Sequence, residues 1–337
     1  MTSPGPARQH VHPPVRARTR AERLAHAHVE RAHVRSASPA PRLTPARAYA
    51  NTCGSPRAAT ARRGGPRDAA ATLRRAVSAR ISALWTTVRR LGDLVRFSHT
   101  IFGLPFALAA AALAHRHVVA GGGLGLTWGR LALIVLAFTA ARTAAMGYNR
   151  IADREIDGDN PRTAARELPA GLVSLPAAVA LTAGSAAVFL LIAWLLGPVP
   201  LLLAPICLAL ILGYSLFKRF SWSAHLVLGL ALALAPGGAW VAVTGEAAGA
   251  ATALWLMLAV ATWVAGFDIL YSLQDERFDR EQGLHSIPVR FGTVGALVLS
   301  GGLHVVTVGA LVAVHVGEGL GVAHAVGVLL IAGILVY

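Results

Sequence analysis

From residue 100 onward the chain is a succession of apolar runs, at 100–119, 130–148, 175–196, 199–217, 224–243, 252–272, 293–315 and 319–337. Most approach the roughly 20 residues that carry a helix across a bilayer. A helix satisfies its own backbone polar groups, so runs of this length predict helices rather than strands. The fold class that follows is all-α: a polytopic transmembrane helical bundle. Only Gly197-Pro198-Val199-Pro200 separates the third run from the fourth, which predicts a tight hairpin. Two short acidic segments stand where apolar runs end: Asn149-Arg-Ile-Ala-Asp153-Arg-Glu155-Ile-Asp157 and Asp275-Glu276-Arg-Phe-Asp279. Each repeats a carboxylate at i, i+4, which stacks the side chains on one helix face. Carboxylates side by side repel one another and call for a cation. Two such clusters point to a divalent metal, Mg²⁺ carried in with a phosphate-bearing substrate.

Composition agrees with the pattern and adds a division. The chain is 55% hydrophobic and 14% charged, with a net charge of +15. Residues 1–99 hold 19 Arg against Glu22, Glu30, Asp68 and Asp93, whereas from residue 100 the 12 basic residues balance 12 acidic ones. The first 80 or so residues are rich in Arg, Ala, Pro, Ser and His. Such a stretch buries too little apolar surface to offset its ordering entropy. Residues 1–85 are therefore read as a disordered basic extension, and 86–337 as the transmembrane domain. Three readings of the extension stand: a non-catalytic addition, an organellar transit peptide, or a tail that binds anionic lipid. Its charge alone is no nucleic-acid module. Cys53 and Cys207 suggest neither a disulfide framework nor a metal knuckle.

Lys and Arg in the connections set an orientation. Arg150, Arg154, Arg162 and Arg166 follow the second run, Lys218 and Arg219 the fourth, and Arg277, Arg280 and Arg290 the sixth. The opposite connections offer Arg116 and Arg130. The positive-inside rule places the even connections, and both acidic motifs, in the cytoplasm. The expected location is a bacterial plasma membrane, or an organelle inner membrane if the extension is a transit peptide.

Polar residues within the runs are the remaining candidates. Arg142 precedes Asn149 by seven residues, so Arg142, Asn149, Asp153 and Asp157 form one helical stripe. A charge at that depth costs about 2.5–3.5 kcal/mol on insertion scales and commonly marks a site. Arg142 either holds an anionic or phenolic substrate or pairs with a neighbouring helix. Asp268 precedes Asp275 by seven residues, and is either part of the site or the partner of an arginine on a facing helix. Lys218, the only lysine, lies in Tyr214-Ser-Leu-Phe-Lys218-Arg219. That pair is either a topology signal or a cationic clamp for diphosphate.

Taken together these residues resemble the UbiA superfamily of intramembrane prenyltransferases. The resemblance rests on Asn149-x3-Asp153-x3-Asp157, Tyr214-x3-Lys218-Arg219 and Asp275-x3-Asp279 in that order, with Asn160-Pro-Arg-Thr-Ala-Ala-Arg166-Glu-Leu-Pro-Ala-Gly171 after the first motif. Tyr271-Ser-Leu-Gln-Asp275 through Gly283-Leu-His285-Ser-Ile-Pro288 resembles the 4-hydroxybenzoate polyprenyltransferase-like branch. The resemblance implies nine helices around a cavity open sideways to lipid. It implies Mg²⁺ held by Asn149, Asp153, Asp157, Asp275 and Asp279, bridging to a polyprenyl diphosphate. The four aspartates would be catalytic. Arg142, Asn149, Tyr214, Lys218, Arg219 and Asp268 would bind substrates, Arg142 the aromatic one. His285 departs from the lysine that many relatives carry. Eight runs are visible, and Tyr337 ends the last of them, so the ninth helix is expected to be missing.

The expected activity is Mg²⁺-dependent transfer of a polyprenyl group from its diphosphate to an aromatic acid such as 4-hydroxybenzoate, in quinone biosynthesis. Prenylation of a dihydroxynaphthoate for menaquinone is the alternative acceptor. Two other classes stay open: a cation transporter using the acidic stripes as its path, and a shortened, inactive homologue.

Overall fold

A computed structural model describes residues 66–96, 100–246 and 251–336, all within one compact unit, Gly64–Tyr337. Its helices are α1 (Pro66–Leu94), α2 (Thr100–Ala120), α3 (Trp128–Ala152), α4 (Arg154–Asp159), α5 (Leu175–Leu196), α6 (Pro198–Phe217) and α7 (Ala224–Thr244). α8 (Ala251–Ser272) runs through a 3-10 turn, Leu273–Asp275, into α9 (Glu276–Glu281), and α10 (Ile287–Gly317) and α11 (Val322–Val336) follow. No strand occurs among the described residues. Among the described residues seven helices are long and apolar enough to cross a membrane: α2, α3, α5, α6, α7, α8 with its extension, and α10. α11 is shorter, at 15 residues. The protein is a polytopic helical membrane bundle.

Local sequence sets the helix ends. Thr127 caps α3 by accepting from the Arg130 N–H, and Ser174 caps α5 by accepting from Ala177; each satisfies an otherwise orphaned donor. Gly197 closes α5 and opens α6 at φ +134, a conformation that favours glycine. Gly292, at φ +71, kinks α10 one turn after its start. The apolar run expected from 293 therefore begins where the straight part of the helix does.

Close approach of small residues packs the bundle. α8 sits at its centre, against α7 on one side and α10 on the other, while α3 packs on α5 and α2 on α7. A Cβ on Gly229 of α7 would stand 2.2 Å from the Ala261 carbonyl oxygen of α8. In lipid no hydrophobic force draws helices together, so contact of this kind and interhelical hydrogen bonds do the work. α8 and α10 are joined by Thr262 Oγ1 to Thr307 Oγ1 at 2.8 Å and by Ser300 Oγ donating to the Gly266 carbonyl at 2.9 Å.

One boundary is corrected. Residues 1–85 are read from composition as disordered, but α1 begins at Pro66 and the compact unit at Gly64. Pro at the first helical position and a run of Ala, Leu and Arg favour a helix there. Low mean hydropathy hides it, because its apolar residues lie on one face only. Residues 1–65, with Cys53, lie outside the described residues.

Candidate functional site

Both acidic motifs sit on breaks in a helix rather than on one straight face. α3 ends at Asp153, with φ −94 and ψ 7, and α4 starts at the next residue. α8 tightens into the 3-10 turn, and Asp275, with φ −103 and ψ 1, opens α9. Both aspartates adopt the sparsely populated bridge region where many active-site residues are found. Each break turns the second carboxylate of its motif, Asp157 or Asp279, into the protein, where both are buried.

Every aspartate of the two motifs faces a cation. Arg162 binds Asp275 through two nitrogens, with Nε to Oδ1 at 2.9 Å, and also reaches the Tyr271 hydroxyl. Arg166 binds both oxygens of Asp157, at 2.6 and 2.7 Å, and Arg150 approaches the same carboxylate at 3.8 Å. Lys218 Nζ lies 2.7 Å from Asp279 Oδ1 and Arg219 3.6 Å from Asp153. Four carboxylates are thus faced by five cations, with Arg150 and Arg166 sharing Asp157. Around them Asn149 Nδ2 donates to Asp153 Oδ2 at 3.0 Å, and Asn160 Nδ2 to Asp275 Oδ1 at 3.2 Å.

The pairing is not equally good everywhere. Neither oxygen of fully buried Asp279 receives a hydrogen bond, although Lys218 stands close by. Burial, then the neighbouring Asp157, push the Asp153 carboxyl above the usual aspartate range, against the pull of Arg219 and Lys218. Arg162, outside the spans, holds its proton more firmly than usual because of its bonds to Asp275.

Deeper in the bundle lies a second polar layer. Arg142, on α3, has a buried Nε without a hydrogen-bond partner. Tyr214 stands on α6, next to Ser215, which accepts from Asn149 Nδ2 at 3.4 Å. Asp268, on α8, shares its helical stripe with Asp275 and is held by His225 of α7, Oδ2 to Nδ1 at 2.7 Å. His225 is buried, and its Nε2 accepts from the Ile287 N–H at 3.3 Å. That bond leaves the ring proton on Nδ1, aimed at the carboxylate.

The structure thus gathers Asn149, Asp153, Asp157, Lys218, Arg219, Asp275 and Asp279 into one cluster, with Arg142, Tyr214 and Asp268 below it. Of the two readings of Asp268, the structure pairs it with a histidine of a facing helix rather than with an arginine. Arg150, Arg162 and Arg166 read in the sequence as topology charges, yet all three face motif carboxylates. Their place in the Asn160–Gly171 segment next to the first motif was the only signal for Arg162 and Arg166. His225 carried no signal at all, standing 43 residues from its partner. The exposed His285 contributes its backbone: its N–H donates to the Lys218 carbonyl at 2.8 Å, tying the second motif's loop to the cationic pair.

Donor chemistry fits a divalent cation in part. The set is all hard oxygen, which suits Mg²⁺, and Asp279 has oxygens without donors. No group of three acidic, His or Cys side chains converges into a ready-made cage among the described residues, since cations stand between them.

The sequence profile of the UbiA prenyltransferase family matches residues 101–337. The chain belongs to the UbiA prenyltransferase family. Among curated members, a 4-hydroxybenzoate octaprenyltransferase of Vibrio atlanticus (strain LGP32) is 33% identical over 192 residues, covering 57% of this chain and 66% of that protein, just under two thirds. The one of Vibrio parahaemolyticus serotype O3:K6 (strain RIMD 2210633) is 32% identical over 221 residues, covering 65% and 76%. The apo structure of a UbiA homolog from Aeropyrum pernix K1 superposes with a TM-score of 0.65 at 40% identity, covering 71% of this chain and 86% of that one. A UbiA homolog from Archaeoglobus fulgidus bound to GPP and Mg²⁺ superposes at 0.57 with 21% identity, covering 73% and 84%, and shares the fold.

Proposed function

We propose that this UbiA family member transfers the prenyl group of a polyprenyl diphosphate to a ring carbon of an aromatic acid of the 4-hydroxybenzoate type, in quinone biosynthesis. The observation that carries the reading is the two-layer site: four aspartates faced by five cations, above a half-buried Arg142 whose Nε is buried without a hydrogen-bond partner. The upper layer suits a metal–diphosphate pair and the lower one a substrate that brings a carboxylate. The names of the curated relatives support the acceptor. The site opens toward the cytoplasm by the bias of Lys and Arg in its connections, in a bacterial plasma membrane.

Asn149, Asp153, Asp157, Asp275 and Asp279 would hold Mg²⁺, which supplies positive charge against the leaving diphosphate when bound. Lys218, Arg219, Arg162 and Arg166, released from the carboxylates, donate to phosphate oxygens as charge grows on them. The allylic C–O bond breaks and its electron pair leaves with the diphosphate. A π pair of the ring forms the new C–C bond. Arg142 fixes the acceptor's carboxylate, which sets the carbon presented to the allylic centre. Asp268, oriented by His225, accepts the ring proton, and the C–H electron pair restores aromaticity. The surrounding helices exclude water that would capture the allylic cation.

Membranes containing the chain, given radiolabelled 4-hydroxybenzoate and geranyl diphosphate, should form a lipid-soluble labelled product with Mg²⁺ and none with excess EDTA. Product from a dihydroxynaphthoate alone would keep prenyl transfer and replace the acceptor. No product with either acceptor, from protein shown to be inserted, would refute the reading.

A further inference from the structure

We propose that α1 is an interfacial anchor that lies on anionic lipid headgroups at the acidic-motif end of the bundle. The argument starts from spacing. Val77, Ile81, Leu84, Trp85 and Val88 follow one another by 4, 3, 1 and 3 residues, so at helical geometry they form a single stripe. All five are exposed, Ile81, Leu84 and Trp85 by 62–68%. A contiguous apolar stripe left open marks a surface that something covers.

Charge names the occupant. Arg75, Arg80, Arg89 and Arg90 flank this stripe or lie behind it, Arg74 stands within it beside Val77 and Ile81, and α1 carries six Arg against Asp68 and Asp93. So many arginines preclude a span, whereas a basic polar face behind an apolar stripe with a tryptophan is the make-up of a helix lying in the headgroup plane. Arginine stems extend along apolar surface while their guanidinium groups reach phosphate.

Continuity with the bundle gives the depth. Arg150, in the last turn of α3, donates from Nε to the Leu94 carbonyl at 3.3 Å, and Arg90 reaches the Leu172 carbonyl at 3.3 Å. Leu94 is buried against Val173 and Ala178, at the start of α5. The C-terminal end of α1 is thereby fixed where α3 ends and α5 begins, at the boundary of the spanning segments and beside Asp157. The anchor is independent of which substrates the site takes.

The test uses the full chain with Cys53 and Cys207 changed to Ser and single cysteines at 77, 79, 81, 85 or 86. Each variant is spin-labelled and reconstituted in vesicles of phosphatidylcholine with or without phosphatidylglycerol. Collisions with oxygen, which partitions into lipid, are compared with those of a water-soluble nickel chelate. Labels at 77, 81 and 85 should favour oxygen and labels at 79 and 86, on the opposite face, the chelate. The contrast should grow with phosphatidylglycerol and shrink when Arg74, Arg75 and Arg80 become Gln. Equal access to the chelate at all five positions would overturn the proposal. So would shielding of 77, 81 and 85 from both reagents, the signature of a protein partner or second copy, and so would a contrast indifferent to lipid charge.

Discussion

At the scale of single residues, the two aspartates that sit on the helix breaks do different work from the arginines beside them. In the proposed reaction Asp153 and Asp275 hold a divalent cation. Asp153→Ala or Asp275→Ala should lower turnover by about 100-fold or more in protein that still inserts, measured by product formation in membranes. Near-full activity in either variant would refute a two-motif site. The lower layer makes a separate prediction. Asp268→Asn should cut kcat by about 100-fold with little change in KM, and His225→Gln should cut it less, because the carboxylate survives but loses its orientation. With ring-deuterated acceptor, single-turnover rates should show an isotope effect in His225→Gln that the unaltered protein lacks. A uniform loss of folded protein without that isotope effect would make the pair structural.

Elements matter here through where they break and how closely they pass. The breaks at Asp153 and Asp275 turn Asp157 and Asp279 inward, which an unbroken helix would not do. Those breaks need firm supports, and α7 and α8 provide one by near contact of backbones. Gly229→Ala puts a methyl group 2.2 Å from the Ala261 carbonyl oxygen, and the backbone has to move. Overpacking of this kind costs about 1–3 kcal/mol, so the variant should melt at lower temperature in detergent. It should also lose activity, since α7 carries His225 and α8 carries Asp268 and leads to Asp275. An unchanged Tm would mean the two helices slide freely. As a control, Gly184→Ala on α5 meets nothing within 4 Å and should leave the Tm unchanged.

For the molecule as a whole, holding four carboxylates against five cations would make the two proposed ligands of the upper layer, metal and diphosphate, depend on each other. A metal alone has to displace side-chain cations that then lack partners. A diphosphate alone has to draw the same cations away from buried carboxylates. Together each stabilises what the other releases. Mg²⁺ should therefore bind weakly without a prenyl diphosphate and more tightly with it, by a coupling of about 1–3 kcal/mol, and the effect must be reciprocal. Calorimetric titration of each ligand in the presence and absence of the other measures it; independent affinities would show that the ion pairs do not exchange.

The order of apolar runs determined the all-α membrane bundle, because length and hydropathy are local properties and the bilayer constrains little else. Carboxylate spacing picked out the two acidic motifs, but not that the helices break at Asp153 and Asp275, so that neither motif lies on one straight face. Pairing was a different matter. Arg162 and Asp275 lie 113 residues apart and His225 and Asp268 lie 43 apart, and no spacing rule connects side chains on different helices. Charge counts read Arg150, Arg162 and Arg166 as topology signals, which is all that a charge outside its fold can be. α1 was hidden for a related reason: averaged composition called it disordered, while its order rests on a Pro66 start, a one-sided stripe and the anchoring of Leu94 by Arg150. What the tertiary structure alone decided is which cation faces which carboxylate, and where the chain breaks to bring them together, because both depend on the packing of helices distant in sequence.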